Sequence, residues 1–178
     1  MRGLYTRPLG SMISKMSKDV IDRLQLDWGQ ERPDLDAEPM GVVLRIQALA
    51  KILADRTAAS LREFDLQWWQ YDVLSTLRRQ GAPFVMAATE LADTNMLTSG
   101  AMTNRIDGLE AKGLVRRLKD DNDRRRVLVQ LTKEGLDLIE DATEVRFEAA
   151  TDALDGLDPA QKKQLSDLLR TVLNAQGI

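Results

Sequence analysis

The chain has 178 residues, 43% hydrophobic and 30% charged, a composition that fits one domain, or one domain with an added helical arm. It contains no cysteine and no histidine, which excludes disulfides, thiolate metal sites and cysteine nucleophiles and removes the commonest general base. The formal net charge is −3, but the distribution is uneven: residues 99–126 hold 8 basic and 5 acidic residues, whereas residues 132–178 hold 5 basic and 10 acidic ones.

In chain order, residues 1–11 (MRGLYTRPLGS) combine Gly and Pro without periodicity, so a disordered tail is expected. From residue 12 the apolar positions Ile13, Met16, Val20, Leu24 and Trp28 recur at three- and four-residue steps, which predicts an extra N-terminal helix followed by a Pro-rich linker, together covering 12–40. Val42, Ile46, Leu49, Leu53 and Leu61 mark a long helix over 41–64. The next helix is expected over 66–79, stopped by Gly81 and Pro83, and a short one over 86–93. Thr98 is placed to cap a helix that runs to Lys112, with Gly113 as the residue just past its end. The period then drops to two: VRRLK (115–119) and RRVLVQL (125–131) read as two strands joined by DDND. Two helices close the chain, over 133–154 and 160–176.

A short helix, a turn, a helix and a β-hairpin make a helix-turn-helix followed by a wing. The expected fold class is therefore mainly α. Residues 65–132 form a winged helix-turn-helix, and the long helices over 41–64 and 133–178 form a helical region outside it. Met102, Ile106 and Leu109 form the stripe that docks the second helix of the motif, leaving Ser99, Thr103 and Asn104 on other faces of its early turns. Small and amide side chains there suit approach to base edges, because a recognition helix reads the major groove with its N-terminal residues. The hairpin tip offers Arg124 and Arg125 to an adjacent minor groove, with Asp123 placed to orient an arginine. The basic island falls on this same segment.

The stretch LTSGAMTNRIDGLEAKGLVRRLKDDNDRRRVLVQLTKEG, preceded by LQWWQYDVLSTLRRQGAP, resembles the recognition helix and wing of the MarR family of bacterial transcription factors over about residues 40–176. The resemblance implies a homodimer built by the N- and C-terminal helices, a pseudo-palindromic site on double-stranded DNA, and repression. It also implies DNA contacts at Ser99, Thr103, Asn104 and Arg105, and at Asp123, Arg124 and Arg125, with Arg125 in the minor groove.

The extra helix ending in Trp28 is similar to that of the urate-responsive PecS, HucR and MftR branch of the family. The set implied as ligand-binding in that branch has a match here at each place: Trp28, Asp72 in WWQYD, Arg105 in TNR and Arg116 in LVRR. A small anionic ligand such as urate is the expected effector, with aconitate, citrate or an aromatic acid as the alternatives. Tryptophan supplies a flat face, and arginine a planar fork for anionic oxygens.

No glycine-rich phosphate loop, nucleophile elbow or metal cluster is present in the sequence, so no catalytic residue, metal or cofactor is expected. A winged helix that binds only protein is the remaining competitor, and the polar early turns and arginine-tipped wing argue against it. No apolar run reaches the roughly 20 residues that span a membrane, and no signal-peptide core is visible. A cytoplasmic location without a membrane partner is expected.

Overall fold

The computed structural model describes residues 18–120, 123 and 126–177. The expected tail over 1–11, residues 12–17 of the stretch expected as the arm helix, and Arg124 and Arg125 lie outside the described residues. The chain divides into two units, Met1–Ile52 and Leu53–Ile178, with helix α2 (Glu38–Ser60) running through the division.

In the first unit, α1 (Val20–Glu31) is the extra helix, and it starts at Val20 rather than at residue 12 because Asp19, in extended conformation, caps it there. Its start is set by a reciprocal cap. The Asp19 carboxylate accepts from the backbone N–H groups of Ile21 and Asp22 at 2.9 Å each, and the Asp22 carboxylate accepts from Asp19 N–H at 2.6 Å. This satisfies amides that have no partner within the helix. Arg45 of α2 then forks onto Asp19, with Nε and Nη2 each at 2.9 Å, and reaches Asp22 at 2.8 Å and Gln25 at 3.3 Å. The Arg45 hydrogen bond holds the Asp19 carboxyl below the usual carboxylate range. Gln25 in turn donates to the Ala37 carbonyl at 3.0 Å. The arm is thus pinned to the start of α2 by polar contacts, and α1 itself buries no residue fully.

The second unit holds α3 (Trp68–Arg79), β1 (Val85–Ala87), α4 (Ala88–Thr94), α5 (Ser99–Ala111), β2 (Val115–Lys119), β3 (Val127–Leu131), α6 (Lys133–Ala153) and α7 (Pro159–Ala175). The strands form one antiparallel sheet in the order β1-β3-β2. Arg116 sits opposite Gln130, and Gln130 opposite Val85. The core joins Leu74 and Leu77 of α3, Leu91 of α4, the α5 stripe, Val115, Val129 and Ile139, all 2% exposed or less. Burying each such side chain fully contributes about 1.5–3 kcal/mol.

Several boundaries differ from the sequence expectation. Helix α2 begins at Glu38, inside the stretch expected as linker, and β3 begins at Val127 rather than residue 125. The helix expected over 41–64 ends at Ser60, and a 3₁₀ turn over Arg62–Phe64 follows. That turn closes on Asp65 in the left-handed region (φ 50°), so the helical path cannot continue. The next helix begins at Trp68 rather than residue 66, because Gln70 Oε1 accepts from Gln67 N–H at 2.9 Å and caps it there. The helix expected over 86–93 begins at Ala88, because Val85–Ala87 pairs with β3 as an edge strand. Three residues are too few to display a period of two. Gly113 has φ 72° as expected for its position after α5.

The junction between wing and α6 is tight. Thr132 caps α6 by accepting from Gly135 N–H at 2.9 Å, while its hydroxyl donates to the Gly113 carbonyl at 2.8 Å and its N–H to the Leu114 carbonyl at 3.1 Å. A Cβ added at Gly135 would stand 1.9 Å from the Leu114 carbonyl oxygen, a backbone atom that cannot swing aside. Gly135→Ala is therefore expected to destabilise the fold by about 1–3 kcal/mol, measured by urea unfolding. An unchanged midpoint would contradict the close approach.

Candidate nucleic-acid interface and ligand site

The orientation of α5 follows from its buried stripe. Met102 and Ile106 are 1% exposed and Leu109 is fully buried, which fixes the rotation of the helix. Thr98 caps it, accepting from Ala101 N–H at 3.3 Å. Ser99, Thr103 and Asn104 are all exposed in the first two turns, and Thr103 turns its hydroxyl back to the Ser99 carbonyl at 2.9 Å. The helix therefore presents a polar face, uncovered within its unit, at its N-terminal end.

The wing is tied down at its base. Arg126 pairs with Glu90 of α4 and lies 3.7 Å from Asp120 at the end of β2. Its N–H donates to the Asp123 carbonyl at 2.9 Å. Asp123 is exposed near the tip. The expected tip contacts Arg124 and Arg125 lie outside the described residues.

A stronger tie, which sequence reading missed, joins wing and recognition helix through Arg117. Its guanidinium pairs with Glu110, lies 2.5 Å from Asp107 and 3.5 Å from the Thr103 carbonyl oxygen, while its backbone N–H donates to Glu110 at 3.0 Å. Burial works against the charge of Arg117, but Asp107 and Glu110 outweigh it and hold its pKa above the ordinary arginine value. The signal available in the sequence was the pair Asp107 and Glu110, three residues apart on a helix expected to face phosphates. Such a helix calls for a cation nearby.

The four residues expected to bind ligand are placed differently from one another. Trp28 belongs to the first unit and is 45% exposed. Asp72, Arg105 and Arg116 belong to the second. The Arg105 guanidinium lies over the ring of Trp69 at 5.7 Å, with no ion pair among the described residues. Trp69 is one helical turn before Asp72, which is half-buried, so Arg105 is brought to the same stretch of α3 as Asp72. Arg116 is drawn elsewhere: its Nε and Nη2 donate to Gln130 Oε1 at 3.0 and 2.7 Å, and Gln130 donates to the Pro83 carbonyl at 2.8 Å. Sequence reading also missed the neighbouring pair. Trp68 stacks on Tyr71 at 5.7 Å and is covered by Arg146 of α6 at 5.8 Å, so each of the tandem tryptophans carries an arginine from a different helix.

Comparison with known proteins places this arrangement. Residues 66–127 match the MarR family. The HTH-type transcriptional regulator PecS of Dickeya dadantii (strain 3937) is 34% identical over 154 residues, 86% of this chain and 92% of that protein. The chain belongs to the MarR family. Among solved structures, Sco3205, a MarR family transcriptional regulator from Streptomyces coelicolor in complex with DNA, superposes with a TM-score of 0.71 at 26% identity, covering 79% of this chain and 89% of that one. BpsR of Bordetella bronchiseptica, whose DNA binding is regulated by 6-hydroxynicotinic acid, superposes with a TM-score of 0.64 at 25% identity over 78% of this chain and 95% of that one. This protein is thus a MarR-family transcriptional regulator, with α5 as its recognition helix and β2–β3 as its wing, and the family is one of regulators rather than enzymes. No described helix is long and apolar enough to cross a membrane.

Because Arg117 covers two carboxylates on the recognition helix of this MarR-family regulator, Arg117→Gln should weaken DNA binding about 5- to 30-fold, the scale of about 1–2 kcal/mol of uncompensated like charge. Fluorescence anisotropy with a labelled duplex reads this. Adding Asp107→Asn and Glu110→Gln to Arg117→Gln should recover part of the loss. No recovery would show that charge is not the cause.

Proposed function

We propose that this protein is a ligand-responsive repressor that binds a pseudo-palindromic DNA site as a homodimer and is released by a small anionic ligand such as urate. The observation that carries the DNA reading is the exposed polar face of Ser99, Thr103 and Asn104 opposite the buried stripe of α5. A helix held by its apolar side, with small hydrogen-bonding groups on the other, fits the major groove. A wing ending in Asp123, Arg124 and Arg125 fits the neighbouring minor groove. The DNA-bound relative Sco3205 supports the reading.

Homodimerisation is supported by apolar side chains left open on the long helices. In the first unit, Val42, Ile46 and Leu49 of α2 are 38–53% exposed on one face of the helix. In the second, Leu168, Val172 and Leu173 of α7 are 49–58% exposed. Rows of this kind are covered by a partner more often than left to water. A second copy would set the two recognition helices about 34 Å apart, one turn of the duplex.

The effector reading rests on Arg105. A guanidinium that lies on Trp69 without an ion pair among the described residues is available to an anion, and Trp28 of the expected ligand set is a residue type that offers a planar anion a flat face. The ligand must bind the DNA-incompetent state more tightly, and a differential of about 1–3 kcal/mol weakens DNA binding roughly 5- to 150-fold. The 6-hydroxynicotinic acid response of BpsR favours an aromatic acid as the second reading.

Two measurements test this. Affinity for DNA should fall linearly in log–log form with salt, as counterions return to the phosphates, and Arg125→Ala should cost about 1–3 kcal/mol. Unchanged affinity removes Arg125 from the interface. By calorimetry, Trp28→Ala and Arg105→Ala should each bind urate more weakly, and Asp72→Asn should bind it while releasing DNA less. Wild-type urate affinity in both alanine variants would place the effector elsewhere. DNA affinity is measured alongside, because Arg105 is also assigned to the duplex.

A further inference from the structure

Among the described residues, three that are not glycine have φ in the left-handed region: Asp65 (50°), Phe84 (57°) and Met96 (53°). Side chains with a Cβ rarely adopt this conformation, and each case asks what compensates it. Asp65 is a residue type that tolerates the region, and it takes the Lys112 ammonium at 3.0 Å. Phe84 packs against the core and receives the Arg78 guanidinium over its ring at 5.1 Å. Met96 has no such return: its side chain is 87% exposed.

The local hydrogen bonds show why the backbone turns there. Leu97 N–H donates to the Ala92 carbonyl at 2.9 Å and Met96 N–H to the Asp93 carbonyl at 3.1 Å. This is the six-to-one and five-to-two pattern that ends a helix, and it places Met96 at the position glycine ordinarily fills. Ala92 and Leu97, the two positions that the motif ordinarily joins by an apolar contact, belong to the core and pack against it respectively. The turn therefore needs the left-handed residue but not its side chain. A methionine here is both strained and exposed, and the fold gains nothing from it.

What the side chain faces is set by its neighbours. Met96 lies in the turn between α4 and α5, two residues before the Thr98 cap and directly ahead of the exposed Ser99, Thr103 and Asn104. We propose that Met96 is a DNA-contacting residue, its thioether chain laid against an apolar part of the duplex, a thymine methyl group or a deoxyribose, at the entry of the recognition helix. Methionine suits the task, being unbranched and able to follow an irregular surface, and apolar contact to thymine methyl groups is an established means of base readout. The proposal rests on the DNA reading above and adds a contact outside the recognition helix and the wing.

The sign of the test is unusual, because stability and binding should part company. Met96→Asn places a residue that tolerates the left-handed region and removes the apolar chain without the added freedom of glycine. The variant should unfold at the wild-type temperature or about 2 °C above it, and bind duplexes enriched by the wild-type protein from a random library about tenfold more weakly. Met96→Leu should keep near wild-type binding. Replacing thymine by uracil in the enriched duplex should abolish the difference between Met96 and Asn where the contact is a methyl group, and leave it intact where it is a deoxyribose. A Met96→Asn variant that binds as tightly as wild type overturns the proposal, as does one that loses stability along with binding, or a leucine variant as weak as the asparagine one. If the wild-type protein enriches no duplex, the DNA reading itself falls.

Discussion

Burial of Met102, Ile106 and Leu109 is the constraint on which the DNA-facing half of the molecule depends. With these side chains closed off at 1% exposure or less, α5 has only one rotation about its axis, and the residues between the apolar positions are forced to the surface in a fixed order. Turning the helix would expose three large apolar groups, at about 1.5–3 kcal/mol each. That exceeds what surface hydrogen bonds and ion pairs return. Polar contacts in this unit therefore refine an orientation that hydrophobic packing has already chosen. Arg117 fixes the wing to a helix that is already placed, and Thr98 stops its first turn from fraying.

Electrostatics then makes that face usable. The chain is acidic overall, and α5 itself carries Asp107 and Glu110 among its exposed and half-exposed positions. At surface separations of a few ångströms a bare carboxylate repels a phosphate appreciably. Arg117 answers both acids from the neighbouring strand, and Arg126 answers Glu90 at the wing base. The same pairs that brace the wing against α4 and α5 therefore screen the acids nearest the proposed DNA surface. A basic island of modest size is enough once its own acids are internally compensated, which is why the global net charge was a poor guide.

How much of this was legible in the sequence follows from the range of each interaction. The second motif helix, its Thr98 cap, its buried stripe, the strand over 115–119 and the existence of its returning partner, expected from residue 125 and beginning at Val127, were all readable, because caps and periodicity are local. The edge strand Val85–Ala87 was not, since three residues have no period and their pairing partner lies more than forty positions on. Arg116 was expected in one ligand set with Arg105, and its guanidinium donates to Gln130, a cross-strand neighbour fixed by register. Arg117, one residue away, points to the other side of the strand and meets α5. Alternation along β2 thus decides which of two adjacent arginines serves the wing–helix junction, and the sequence motif alone could not distinguish them without the register. Met96 was passed over for a different reason: an isolated exposed methionine looks unremarkable until its φ is known.

The contact between Trp69 and α5 sets the terms on which any effector must act. The ring rests against the helix at Gly108, where an added Cβ would lie 3.4 Å from Trp69 Cη2, and it carries Arg105 of the same helix on its face. Its indole N–H is held by Gln67 at 2.6 Å, so the plate is anchored to the start of α3. On the proposed reading, an anion that recruits Arg105 must compete with this cation–π contact, of about 0.5–2 kcal/mol, and the competition is linked to DNA affinity because Arg105 belongs to the recognition helix. Linkage makes the effect reciprocal: DNA that holds Arg105 away from the anion weakens the effector by the same factor by which the effector weakens DNA. Trp69 need not touch either ligand to set the size of that factor. On that reading, its grip on α5 would decide how much of the binding energy of the anion goes to moving the helix and how much remains as affinity.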